Sequence, residues 1–277
     1  MALAQVNRED LQQVLASHHG NVSLAAAFEA AAPQPDRLLR VLGRYIQFNG
    51  AFGPGLANLV GEIGARQGLF RDMSEPVLVL QDRAAEVAAD FFFAAIDEFD
   101  DRATAWRDTH RTLAQATLKG LGRYFGYESA ALNEAFRMND ATLEAMASVS
   151  EGYGLAEALS DEHLFRSMGF HTGSEVLADE EFTIIDGILR KQRPDIVKAL
   201  QETSVEILGN QHNAYYWISI HTSVEADHFD AAVRGVNNAL RFYAGSEDLS
   251  VPKRWIIDGF RHFADVQAAF MTALAAG

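Results

Sequence analysis

The sequence predicts an all-α bundle, and three observations point to it. Apolar residues recur at helical spacing along most of the chain, and strand-type alternation is nearly absent. At 277 residues and 48% apolar content there is ample material for a core, with no linker, repeat or low-complexity stretch to divide it. The expectation is therefore one domain over 1–277, with residues 1–35 as an N-terminal helical arm and 36–277 as a bundle of about seven main helices.

In chain order, 8–17 and 22–32 read as short helices separated by Gly20 and closed by Pro33-Gln-Pro35. This arm can pack on the body, cover a site or mediate association. Asp36 is an expected N-cap for a helix carrying Leu38, Leu39, Leu42, Tyr45 and Ile46. The run from Gly50 to Gly55 should break it before 56–63 resumes. Ser74-Glu-Pro76 opens a helix through Phe99, and the acidic run from Glu98 to Thr104 forms a bend. Further helices are expected at 106–122, 130–148, 155–168, 173–191, 194–208, 215–243 and 252–275.

Composition narrows the function. A net charge of −15 with no basic run argues against a nucleic-acid or anionic-membrane surface. The most apolar run, Val87 to Ile96, is too short to span a bilayer and contains Asp90. The opening MALAQVNRED has no secretory pattern, so a cytoplasmic location is expected. The absence of cysteine removes disulfides, thiolate metal sites and Cys nucleophiles. A metal would then be held by His and carboxylate, donors that suit iron, manganese or zinc.

The stretch 215–243 contains His221-x3-Glu225-x2-His228 in a run with no Pro and one Gly. Steps of four and three place the three side chains within an arc of about 60°, over about 10 Å of helix axis. Trp217, Ile218, Ala231 and Ala232 share that face, so these polar groups should point into the core. Two imidazoles and a carboxylate on a dry face are most simply satisfied by metal; a chance grouping is the competing explanation. The two His lie two turns apart, which suits two ions with Glu225 between them.

Such a centre needs ligands from other helices. Glu98 and His110 are the first candidates, with Phe91, Phe92, Phe93 and Ile96 suggesting burial around Glu98. Asp97 and Asp101 are rivals, and a solvated acidic bend is the plainer explanation of this run. Glu175 is the next candidate, with Asp179, Glu180 and Glu181 as fallbacks and Glu62 as an extra. His18, His19, His163, His171, His212 and His262 belong to no such grouping and read as structural or surface residues. Tyr153 reads as outside the site. Tyr45, Phe48, Phe92, Trp217 and Phe229 are candidates for a substrate wall and are equally explained as core.

Taken together, Glu98, His110, Glu175, His221, Glu225 and His228 resemble the ligand set of the haem-oxygenase-like diiron oxidases and oxygenases. That family carries an acid shortly before a His, a middle-helix Glu, and a late His-x3-Asp/Glu-x2-His, where Glu225 stands for the commoner Asp. The resemblance covers residues 37–243. It implies a haem-oxygenase-like helical bundle and two Fe ions held by those six residues, with Mn as an alternative. It also implies O2 as co-substrate in an oxidoreductase of small-molecule biosynthesis. The implied substrate is an amine, amino acid or fatty-acid-like metabolite undergoing N-oxygenation or oxidative C–C cleavage. A reductase as electron donor and a homodimer are compatible partners. The alternative is a non-catalytic small-ligand-binding or partner protein of the same fold with a degenerate metal site.

Overall fold

The computed structural model describes residues 4–75, 82–102, 104–155 and 159–277, with the side chains of Asp97, Asp179 and residues 223–227 outside the description. The helices are α1 (Arg8–Leu15), α2 (Gly20–Ala31), α3 (Pro35–Asn49), α4 (Phe52–Ala65), α5 (Ala84–Asp100), α6 (His110–Phe125), α7 (Ser129–Ala135), α8 (Asp140–Gly152), α9 (Asp161–Gln192), α10 (Pro194–Glu202), α11 (Tyr216–Phe242) and α12 (Ser250–Ala276). A two-stranded hairpin, β1 (Ser204–Ile207) and β2 (Asn210–Asn213), lies between α10 and α11. The protein is an all-α helical bundle. Among the described residues no helix is long and apolar enough to cross a membrane.

The bundle is arranged around α9, which packs most extensively on α12 and α11. The sequence expectation divides this stretch into helices over 155–168 and 173–191, whereas α9 begins at Asp161 and runs unbroken for 32 residues through Gly169 and Gly173. They serve packing instead. A Cβ on Gly169 would strike the carbonyl oxygen of Ile256, and one on Gly259 would strike that of Arg166. The two glycines let the α9 and α12 backbones touch, and this contact fixes the rotation of α9 about its axis. That rotation decides which α9 side chains face inward.

The N-terminal arm packs on the body rather than standing apart from it. Leu24, Ala27, Phe28 and Ala31 of α2 are fully buried, and α2 lies against α9 and α12. Asn7 and Asp10 form a reciprocal capping box on α1, which is pinned to α12 through Asp10 and Lys253 at 2.8 Å.

Other boundaries shift for local reasons. Pro35 occupies the first turn of α3 with Gln34 as N-cap, so the start falls before Asp36, because a residue lacking N–H costs nothing there. The break falls at Gly50 and Ala51, inside the expected run, but α4 resumes at Phe52 and not at Leu56, with Pro54 in its first turn where a missing N–H costs nothing. The helix expected to open at Ser74-Glu-Pro76 begins only at Ala84: residues 76–81 lie outside the description, but Asp82 pairs with Arg71 in a β-bridge and its Oδ1 accepts from Ala84 N at 2.8 Å, which holds the chain out of the helix until then. Residues 136–139 divide the expected 130–148 helix, with Asn139 capping α8 through Thr142 N. The expected 106–122 helix begins four residues later, capped by Thr109, whose hydroxyl accepts from Thr112 N at 3.0 Å.

The hairpin is the largest departure, since 194–208 reads as one helix. Leu208 and Gly209 form a two-residue turn with φ of 52° and 82°, both left-handed, as a type I′ connection requires. Its signal in the sequence is Val205 and Ile207 alternating ahead of Gly209. The hairpin also braces the α5–α6 loop. His212, buried on β2, places Nδ1 3.3 Å from Asp108 Oδ2, two residues ahead of His110.

Two stability measurements check these assignments. Leu208→Asn should stabilise the protein by roughly 1 kcal/mol in urea unfolding, because Asn tolerates the left-handed conformation that an exposed Leu resists. Gly259→Ala should destabilise it by roughly 3 kcal/mol by forcing α12 away from α9.

Candidate metal centre

Four helices contribute inward-facing polar groups. Glu98 sits two residues from the end of α5, His110 is the first residue of α6, His171 and Glu175 lie one turn apart on α9, and His221 and His228 lie on α11. The α11 face is buried as its periodicity predicts, with Trp217, Ile218, Ala231 and Ala232 at most 1% exposed. His221 and His228 turn inward with it, at 3% and 5% exposure.

Ligand-capable atoms of Glu98, His110 and His221 all lie within 4.8 Å of one another. His110 Nδ1 is 3.2 Å from Glu98 Oε1, and its Nε2 is 3.7 Å from Asp101 Oδ2. Burial opposes a charge on this imidazole, but the Glu98 carboxylate, then hydrogen bonding to Asp101 and Glu98, push its pKa up to about 10. In His221, Nδ1–H donates to the Trp217 carbonyl at 2.6 Å, one turn back on the same helix. That bond fixes the tautomer and leaves the lone pair on Nε2, the arrangement a metal-ligating imidazole needs. Phe182 stacks flat on the His221 ring at 4.1 Å, holding its orientation.

The second cluster is Glu175 with two imidazoles. Its Oε2 lies 3.6 Å from His228 Nδ1 and its Oε1 3.4 Å from His171 Nδ1. Phe93 covers the edge of His228 at 5.5 Å. Complete burial, and then the neighbouring His228, drive the His171 pKa down to about 3, so this ring is neutral. Its Nδ1 also lies 3.1 Å from Tyr153 Oη, and burial pushes that phenol's pKa upward.

Glu98, His110 and His221 from the first cluster and Glu175 and His228 from the second line one cavity of about 50 Å³, together with Glu181, Tyr153, Phe48 and Phe52. That space suits ions and a few waters, each water needing roughly 10–15 Å³, and is too small for a metabolite. No Lys or Arg is among the described lining residues. Carboxylates and imidazoles facing each other with no Lys or Arg between them among the described residues form a donor set that fits iron or manganese. Glu98, His110 and His221 could hold one ion, and Glu175 and His228 a second.

Several sequence candidates fall elsewhere. The Glu225 side chain, like those of the rivals Asp97 and Asp179, lies outside the described residues. Glu181 is buried in the cavity wall but accepts from Tyr45 Oη and Gln267 Nε2, each at 2.7 Å. Glu180 is exposed and bonded to Asn21, and Glu62 pairs with Arg66 at 3.6 Å. Among the proposed wall aromatics, Phe48 lines this cavity, Tyr45 is buried beside it, and Phe92 is 51% exposed. Phe229 lines a separate cleft against α1.

Two residues read as uninvolved are drawn in. Tyr153 lines the cavity, and His171 faces Glu175. The only advance signal for His171 was Glu175 four residues on, the i,i+4 spacing of a helical pair. Tyr153 had none, because the turn after α8 brings it in from outside any periodic motif.

No family model matches this chain, and no curated protein matches it. Among solved structures it is similar to a CADD-like protein of unknown function from Nostoc punctiforme PCC 73102, with 15% identity over 97% of this chain and 95% of that chain and a TM-score of 0.48.

The roles of the two acids around His110 can be separated by titrating metal-free protein with Fe(II) or Zn(II) against a competing chelator. Glu98→Ala should lose more metal than Asp101→Ala. The latter should weaken binding by about tenfold, the usual effect of removing a carboxylate that orients a metal-bound imidazole. The reverse order would make Asp101 the ligand.

Proposed function

We propose that this chain is a non-haem diiron oxidoreductase of the haem-oxygenase-like kind, using O2 to oxidise a small amine, amino-acid or fatty-acid-like metabolite. The observation that carries the proposal is the convergence of Glu98, His110 and His221 within 4.8 Å, with Glu175 and His228 lining the same cavity. Glu225, between the two His on α11, completes the proposed ligand set. Manganese is the alternative metal, and an electron-donating reductase, a homodimer and a cytoplasmic location belong to the same reading.

Two ferrous ions would supply the electrons and coordination positions that O2 chemistry requires. The protein's part is positioning and exclusion. The bond from His221 to Trp217 O and the carboxylate of Asp101 beside His110 orient the two rings. Glu175, set between His171 and His228, supplies a carboxylate with two oxygens facing different partners. Phe182 and Phe93 pack against His221 and His228 and keep bulk water from the imidazoles. Tyr153 stays protonated, because burial disfavours its phenolate, and it offers a neutral O–H at the cavity wall.

One observation favours the second reading, a non-catalytic ligand-binding or partner protein of the same fold. His110 is bracketed by Glu98 and Asp101, an arrangement that balances charge with a proton in place of a metal. Anaerobic Fe(II) titration separates the two. The diiron reading expects close to two irons per chain and a transient visible absorption on mixing with air, and the other reading expects neither. His221→Ala and His228→Ala should each remove most bound iron while far-ultraviolet circular dichroism stays unchanged. Full iron content in both variants would show that these residues are structural.

A further inference from the structure

A second cavity, of about 330 Å³, adjoins the metal cavity and shares Asn49, Glu98 and His110 with it. Unlike the first, it reaches the size range of small-molecule sites. Its walls are largely apolar, from Ile46, Pro54, Phe99, Ala114 and Trp217. Gly50 and Gly53, at the junction of α3 and α4, leave room where side chains would stand.

Among the described residues of this wall Arg111 is the one Lys or Arg, with Glu98 and His110 also lining the cavity. Arg111 follows His110 directly on α6, is exposed, and is anchored by Nη1 donating to Ile46 O at 3.4 Å. Its guanidinium lies over Gly50, in the space a Cβ there would fill. It has no carboxylate partner among the described residues, in a chain with 38 acidic residues and 23 basic ones. A fork of donors fixed at the rim of an apolar chamber and unclaimed by any acid among the described residues suits a ligand carboxylate.

We propose that this chamber is the substrate site and that Arg111 selects molecules bearing a carboxylate. Their apolar body lies along Trp217, Pro54 and Phe99, and the end remote from the carboxylate faces Glu98 and His110. This deepens the proposed function, since the inner end of the chamber is the wall of the metal cavity. Arg111 is a specificity residue, and among the described residues its guanidinium bonds to Ile46 O and to none of the proposed metal ligands.

The test is calorimetric binding of phenylacetate and of phenethyl alcohol, ligands alike in ring and length, to the full chain in metal-free form and loaded with redox-inert Zn(II). Wild-type protein should prefer the acid by about fivefold or more in both forms, the scale expected for a fixed guanidinium at a solvent-facing rim. Arg111→Gln should bring the ratio close to one while leaving alcohol affinity and bound Zn(II) unchanged, and Arg111→Lys should keep part of the preference. Acetate alone should compete only weakly, because it lacks the apolar body. A preference that survives Arg111→Gln, or no binding of either ligand, overturns the proposal. A preference confined to the Zn(II) form and insensitive to Arg111→Gln assigns the carboxylate to the metal and also overturns it. Failure to bind iron alongside an Arg111-dependent preference would overturn the diiron reading and leave the chamber standing.

Discussion

Charge compensation among buried carboxylates and imidazoles is the constraint on which the rest of this structure depends. Glu98 and Asp101 come from the end of α5, His110 from the start of α6, Glu175 from the middle of α9 and His228 from α11. Leaving any of these charges buried and unpaired would cost several kcal/mol. Sliding one helix by a single turn would unpair at least one of them. Apolar packing tolerates such shifts far better, because many apolar residues fill the same space about equally well. The polar cluster therefore specifies the register of the bundle, while the surrounding core supplies its stability. The α5–α6 loop shows how closely this is held: Asp101 N donates to Asp108 O at 2.9 Å, and Asp108 in turn is braced by His212 on the hairpin.

The parts of this arrangement legible in the sequence are those set by local periodicity. The inward turn of His221 and His228 follows from their spacing and from the apolar residues on the same face, and it needs no knowledge of tertiary contacts. The pairing of Glu98 with His110 was also within reach, since an acid at a helix end and a His soon after a short bend have few places to go. What could not be read depended on partners far along the chain. Gly169 looks like a helix breaker until Gly259, ninety residues on, is seen to need the same close approach. The hairpin was hidden because 204–213 is short and follows a helix start at Pro194 that reads convincingly to its end. Tyr153 was missed for a related reason, as it acquires its role only when α8 and α9 are laid together, while His171 had a single local signal in Glu175 one turn on.

The fates of Glu175 and Glu181 show how a bundle can give two nearby acids different chemistry. Both lie on α9, and both are buried in the wall of one cavity. Glu181 meets neutral donors at hydrogen-bonding distance, a phenol from α3 and an amide from α12, and such bonds hold a buried carboxylate without any ion. Glu175 meets imidazole nitrogens at 3.4 and 3.6 Å, longer than good hydrogen bonds, and accepts no shorter bond among the described residues. A carboxylate held near nitrogen donors but not bonded closely by them has the spacing of ligands around a shared centre, where each atom approaches the centre and not its neighbour. The choice between the two acids rests on which helix faces them: α3 and α12 bring Tyr45 and Gln267 to one, and α11 brings His228 to the other. Close contact of α9 with α12 at Gly169 and Gly259 sets that division, so a packing feature more than a turn away from Glu175 determines which acid is left for metal.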